Sequence, residues 1–113
     1  MGTSEKNDTK QKIKYNLILR PQSYSDIEQT FLWYEEQERN LGIDFIEQIE
    51  DSFKRIRSNP QSYQIIKKNL RRALVKKFPY AIFYKILDKE ILVIAIFHLS
   101  RNPKRIVEII SKR

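Results

Sequence analysis

Two different apolar periods run along this chain, and the switch between them divides it into a helical part and a strand part. From Lys14 to Arg20, the side chains of Tyr15, Leu17 and Leu19 alternate with Lys14, Asn16 and, less cleanly, Ile18, a strand pattern closed by Pro21. Ser25-Asp26-Ile27-Glu28 has the S-x-x-E spacing of a capping box, in which the two polar side chains satisfy backbone N–H groups left open at a helix start. Ile27, Phe31 and Tyr34 then recur at helical intervals, so a helix is expected to run to about Glu38. Asn40 to Gly42 reads as the break after it. A second helix follows, with Phe45, Ile49, Phe53 and Ile56 forming one stripe, and stops before Asn59 and Pro60, because the residue preceding a proline is pushed out of the helical region. The two helices are expected to form a hairpin with acidic outer faces.

After Pro60 the period falls to two. Tyr63 to Ile66 and Ala73 to Phe78 read as short extended pieces separated by the basic run Lys67, Lys68, Arg71 and Arg72. Ala81 to Leu87 and Ile91 to His98 are β-branched and aromatic runs joined at Asp88, Lys89 and Glu90, which predicts a hairpin. Ile91 to Phe97 is apolar at every position, so both faces of that strand should be covered and it should be central. Asn102 is placed to cap a short terminal helix with Pro103 at its first position and Ile106, Ile109 and Ile110 on one face. The order is strand, helix, helix, then three or four strands and a short helix, an α+β class with a mostly antiparallel sheet. Residues 1–13 show no periodic pattern and read as a flexible tail, leaving 14–113 as one domain, a reasonable size for a single core.

Charge sharpens this division. The formal net charge is +8, but residues 15–57 sum to −4 and residues 58–113 to +10. A segregated cationic half favours a polyanion or an acidic protein partner, whereas solubility alone needs no segregation. The chain has no cysteine and one histidine, which excludes disulfides and Cys-ligated metal and leaves too little for a His-rich metal site. No apolar run approaches the roughly 20 residues of a membrane helix, so a cytoplasmic protein is expected.

The motifs for phosphate-loop, dinucleotide, zinc-protease and serine-hydrolase chemistry are all absent. What remains is a basic and aromatic set: Lys67, Lys68, Arg71, Arg72, Lys76, Lys77, Tyr80, Tyr84, His98, Arg101, Lys104 and Arg105. Gathered on adjacent strands, these would make a cationic face able to hold nucleic acid by phosphate contacts and stacking. Metal-free RNA cleavage would further need proton-transfer groups, for which His98 and a tyrosine are the available types, with Arg101 and Arg72 stabilising the phosphate. Each of these residues has a structural alternative. Lysines near an edge strand discourage aggregation, Tyr80 and Tyr84 suit a core, and His98 suits a structural hydrogen bond.

The run Lys77-Phe-Pro-Tyr-Ala-Ile-Phe-Tyr84, a short turn, Ile91 to Phe97 and then His98-Leu-Ser-Arg-Asn-Pro103 resembles the C-terminal signature of RelE/ParE superfamily toxins of bacterial type II toxin–antitoxin systems, the plasmid stabilisation family. With the helical hairpin ending at Ser58-Asn59-Pro60, the resemblance covers roughly residues 15 to 105. It implies a cytoplasmic toxin encoded beside a cognate antitoxin protein that wraps and neutralises it, with no metal, no small-molecule cofactor and no membrane. RelE-like members are ribosome-dependent mRNA endonucleases that use Lys and Arg residues and a C-terminal tyrosine, whereas ParE-like members inhibit DNA gyrase. Arg101 falls on a basic position of the nucleases, but Val107 stands where they place the tyrosine and Ala81 where they often have arginine. The F-P-Y and H-x-x-R-N-P elements resemble the ParE branch more closely. On that reading Lys67, Lys68, Arg71, Lys76, Lys77, Tyr80, Lys104 and Arg105 bind the target or nucleic acid, and Arg101, Arg72 and His98 would be catalytic only in a nuclease. A further alternative is a non-toxic basic nucleic-acid-binding module.

Overall fold

The computed structural model describes residues 14–113, and the tail expected over residues 1–13 lies outside them. The elements are β1 (Asn16–Leu19), α1 (Pro21–Gln37), α2 (Leu41–Ser58), a single 3-10 turn (Pro60–Ser62), β2 (Gln64–Lys67), β3 (Leu70–Leu74), β4 (Tyr80–Leu87), β5 (Glu90–His98) and α3 (Pro103–Ser111). The α+β class and the element order are as the sequence predicts. The first strand also joins the sheet, which therefore has five strands in the order β1-β5-β4-β3-β2. β1 pairs parallel to β5, and every other pairing is antiparallel.

β5 is covered on both faces, as its continuous apolar run predicts. On one side Ile91, Val93 and Ile96 pack with Ile82, Tyr84 and Ala73 beneath Phe45, Ile49 and Ile56 of α2. On the other, Ile94, Ala95 and Phe97 pack with Ala81, Phe83 and Leu70 beneath Ile106 and Ile110 of α3. The register slips between Phe83 and Tyr84, which face Ala95 and Val93, so Ile94 is an extra residue in β5. Such a bulge leaves backbone groups outside the ladder that need other partners.

The start of α1 supplies them. β1 stops opposite Val93, and beyond it the free edge of β5 is met by side chains. Ser23 Oγ donates to Val93 O at 3.0 Å, and Asp26 Oδ2 accepts from Ile96 N at 3.0 Å. Arg113 completes the edge. Its guanidinium donates to both Asp26 carboxylate oxygens, at 2.7 and 3.1 Å, and to the bulge carbonyl of Ile94 at 3.0 Å.

Three boundaries differ from expectation. α1 begins at Pro21, with Arg20 extended before it, rather than at a Ser25 cap. Pro21 at the first position needs no N–H partner and has a helical φ already fixed, and an early start brings Ser23 and Asp26 to β5. Ser25 lies within the helix, where its Oγ accepts from Gln29 Nε2. Gly42 belongs to α2 rather than to the break, which sits at Asn40, in the left-handed region with φ 72°. Finally, β3 spans Leu70–Leu74 instead of Ala73–Phe78. Left-handed Lys77 (φ 69°) and Pro79 prevent the ladder from continuing, so Arg71 and Arg72 are strand residues rather than linker.

α1 and α2 touch at Gly42. A Cβ there would lie 2.6 Å from the backbone oxygen of Phe31 and 2.8 Å from its ring. Gly42→Ala is therefore expected to lower stability by about 1–3 kcal/mol, the usual range for overpacking, read as a lower urea midpoint with unchanged slope. Asp26→Ala strands the Ile96 N–H and the Arg113 guanidinium together. Since both ion-pair side chains keep some exposure, 14% and 16%, we expect a loss of about 2–3 kcal/mol, below that of a fully buried pair. Chemical denaturation of the two variants beside the parent checks both values.

Candidate functional site

The antiparallel register sorts the basic residues by face. Arg71 pairs with Tyr84 and Arg72 with Phe83, so the two neighbours point to opposite sides of the sheet. Arg71 falls on the helical-hairpin side, where Nη1 donates to the carbonyls of Gln61 (3.0 Å) and Tyr63 (2.7 Å) and pins the turn after α2. It does not join the cationic cluster.

Arg72 does. With His98, at the end of β5, and Arg101, in the loop that follows, it lines a cavity of about 60 Å³ whose other walls are Ile66, Phe83, Leu99, Pro103 and Ile106. Arg72 Nη2 also donates to Gln64 Oε1 at 2.8 Å, and the Arg101 guanidinium lies 4.3 Å from the centre of the Phe97 ring. His98 is held from two directions, since its Nδ1 accepts from Ser100 N at 3.0 Å and its ring meets Tyr80 edge-on at 5.0 Å. The three residues named as catalytic in a nuclease thus come together on the α3 face.

Lys67, Lys68 and Lys104 gather along the other flank of α3. Lys67 and Lys68 line a groove of about 270 Å³ with Asn69, Leu70, Lys85, Val107, Ile110 and Ser111. Lys67 and Lys104 continue along a shallower depression with Pro103, Val107, Glu108 and Ser111. Arg105 is exposed on the same helix. Lys76 and Lys77 are exposed in the β3–β4 connection, which reaches the His98 end of the sheet through the bond from Leu99 N to Pro79 O. Half-buried Tyr80 packs against Tyr34, Phe45 and His98, so it is a support for His98 rather than a free stacking platform.

Tyr84 leaves the candidate set altogether. It is fully buried, its hydroxyl donating to Pro60 O at 2.7 Å. Burial pushes its pKa well above the usual tyrosine value, with the Arg71 guanidinium pulling the other way. Lys85, a wall of the lysine groove, and Phe97, under Arg101, belong to the site although their sequence context does not single them out. The signal was available for Lys85, because Ala81, Phe83 and Lys85 alternate onto one face, but a lysine inside an apolar strand reads as a strand residue first. Among the described residues no helix is long and apolar enough to cross a membrane.

A model of the ParE toxin of type II toxin–antitoxin systems, parDE, matches residues 17–103. The chain belongs to the ParE toxin family. Among solved structures it resembles one described as the chromosomal ParDE TA system from P. aeruginosa, at 12% identity and a TM-score of 0.69, covering 77% of this chain and 98% of that one. At that identity the likeness is one of fold. No curated protein sequence matches the chain. The ParE match stops at Pro103, so most of α3, including Val107 and the other α3 residues that line the groove, extends past the matched residues, whereas the groove's lysines lie within them.

Because the folded state keeps the Tyr84 proton beyond the pH at which the unfolded chain releases it, this tyrosine's contribution is complete below about pH 10 and is lost as pH rises past it. Tyr84→Phe should be less stable than the parent by about 1–2 kcal/mol at neutral pH, since Pro60 O loses its partner. The gap should narrow above about pH 10, as measured by urea unfolding at a series of alkaline pH values.

Proposed function

We propose that the protein acts as a type II toxin that inhibits DNA gyrase and that a cognate antitoxin neutralises it. One observation supports gyrase over mRNA cleavage. The cavity shared by Arg72, His98 and Arg101 is lined by no carboxylate and no tyrosine, so His98 is its sole proton-transfer group. Cleavage through a 2′-hydroxyl needs one group to accept a proton and another to donate one. Val107, at the position of the nucleases' tyrosine, lines the lysine groove on the other flank of α3 instead.

That groove suits an antitoxin segment that is both apolar and acidic. Its floor is Leu70, Val107 and Ile110 and its walls are Lys67, Lys68 and Lys85. Opposite charge would steer encounter and fix register, while the apolar floor supplies burial.

Purified protein is expected to abolish supercoiling by gyrase and to accumulate gyrase–DNA cleavage complexes, while primer extension on mRNA from induced cells shows no new ends. Unimpaired supercoiling at toxic doses, or discrete mRNA cuts lost on Arg101→Ala, would overturn the proposal. The product of the neighbouring open reading frame should co-purify with the protein and restore supercoiling. Lys67→Glu with Lys68→Glu should weaken that complex at least about ten-fold, or about 1.4 kcal/mol.

A further inference from the structure

We infer that the Arg72–His98–Arg101 cavity is an oxyanion site that takes one phosphate group, free or within a nucleic-acid backbone, and holds it without cleaving it. The inference stands apart from the identity of the toxin's target.

The tautomer of His98 comes first. Its Nδ1 accepts the Ser100 N–H, so that nitrogen carries a lone pair, and in the neutral ring the proton must be on Nε2. With Nδ1 accepting, His98 donates through Nε2. Arg72 spends one N–H on Gln64, which leaves four of the five that a guanidinium carries. The Arg101 guanidinium lies over the Phe97 ring, a contact that uses none of its N–H groups. Every polar side chain lining the cavity is therefore a donor.

Nothing offsets that charge locally. Among the described residues the ion pairs are Arg55–Asp51 and Arg113–Asp26, and neither involves a cavity residue. Two guanidiniums, that of Arg101 on an exposed residue, and an imidazole line one small cavity with no carboxylate among its walls, an arrangement that an anion would complete. The apolar walls, Ile66, Phe83, Leu99 and Ile106, limit water and strengthen charge-assisted bonds to whatever binds. The positive end of the nine-residue helix α3 adds field of the same sign at Pro103.

Size selects the ligand. At ~10–15 Å³ for each water-sized group, a cavity of about 60 Å³ accommodates about four to six of them, the scale of one tetrahedral oxyanion. It is far below the ~300–1,000 Å³ of ordinary small-molecule pockets. A base has no room, so any nucleic acid would engage through its backbone.

His98 is the only histidine in the chain, so its ring proton resonances report on the site without ambiguity. Inorganic phosphate titrated into the full chain at constant ionic strength, against chloride, should give a saturable shift of those resonances with a Kd on the order of 1 mM. Arg101→Met and Arg72→Met should each weaken binding at least about ten-fold, while Lys89→Met, in the β4–β5 turn, should not change it; circular dichroism verifies that the variants are folded. A single-stranded oligonucleotide that displaces phosphate at lower concentration identifies the backbone as the source, and one that fails to compete identifies free phosphate. Either result supports the site. No saturable shift of the His98 resonances with phosphate beyond that with chloride, or an undiminished phosphate effect in Arg101→Met, would overturn it.

Discussion

From Ile91 to Phe97 strand β5 is buried at every position but Leu92, between two packed faces, so its backbone polar atoms need protein partners. β4 satisfies one edge along the whole strand, but β1 covers the other only as far as Val93, and the bulge at Ile94 opens the ladder just where that cover ends. Ser23, Asp26 and Arg113 fill the gap. Asp26 has three tasks there: it caps Ile96, binds Arg113 and so fixes α1 over the strand. The early start of α1 at Pro21 and the docking of α3 both serve the same requirement. Removing any one of these groups leaves others unpaired in a poorly solvated place, so they act as a unit.

The candidate site inherits its geometry from that arrangement. α3 lies across the sheet face opposite the helical hairpin, and the cations flank it, lysines along one side and the Arg72–His98–Arg101 cavity on the other. Pleating sends Arg72 to this face and Arg71 to the other, where it is consumed by two carbonyls of the turn after α2. Two adjacent arginines in sequence thus have unrelated roles, one structural and one available. Acidic residues stay mainly with α1 and α2, so the two faces of the sheet differ in charge as well as in cover.

Much of this was legible in the sequence. The helical stripe Phe45, Ile49, Phe53 and Ile56, the continuous run from Ile91 to Phe97 and the Asn102 cap, whose Oδ1 accepts from Lys104 N at 2.8 Å, follow from local rules, and the structure agrees with each, Phe53 being half-buried against the core. What periodicity could not supply was long-range. The S-x-x-E at Ser25 looked like a helix start because local hydrogen bonding favours one there; the distant demand of β5 moved the start to Pro21. Tyr84 reads the same as a stacking tyrosine until Pro60 O is seen to accept its hydroxyl. Lys77 carries no local mark of a positive φ, so the apolar pattern alone puts β3 too late in the chain. For the site, residue types were visible but their grouping was not, because a one-residue step in a strand reverses the face.

The parallel pairing of the first strand with the last has a consequence for timing. Ser23 and Val93 are 70 residues apart, and Asp26 and Arg113 are 87 apart, so the contacts that close the central strand are among the most distant in the chain. Loop closure on that scale is paid before any of those bonds forms, and such topologies fold late. A nascent chain on the ribosome can build the α1–α2 hairpin early but lacks the strand it packs on, and Asp26 waits for an arginine not yet translated. The cationic face, assembled from β2 to α3, exists only once synthesis has passed Arg113. A chain that stops before α3 therefore lacks walls of both the cavity and the lysine groove.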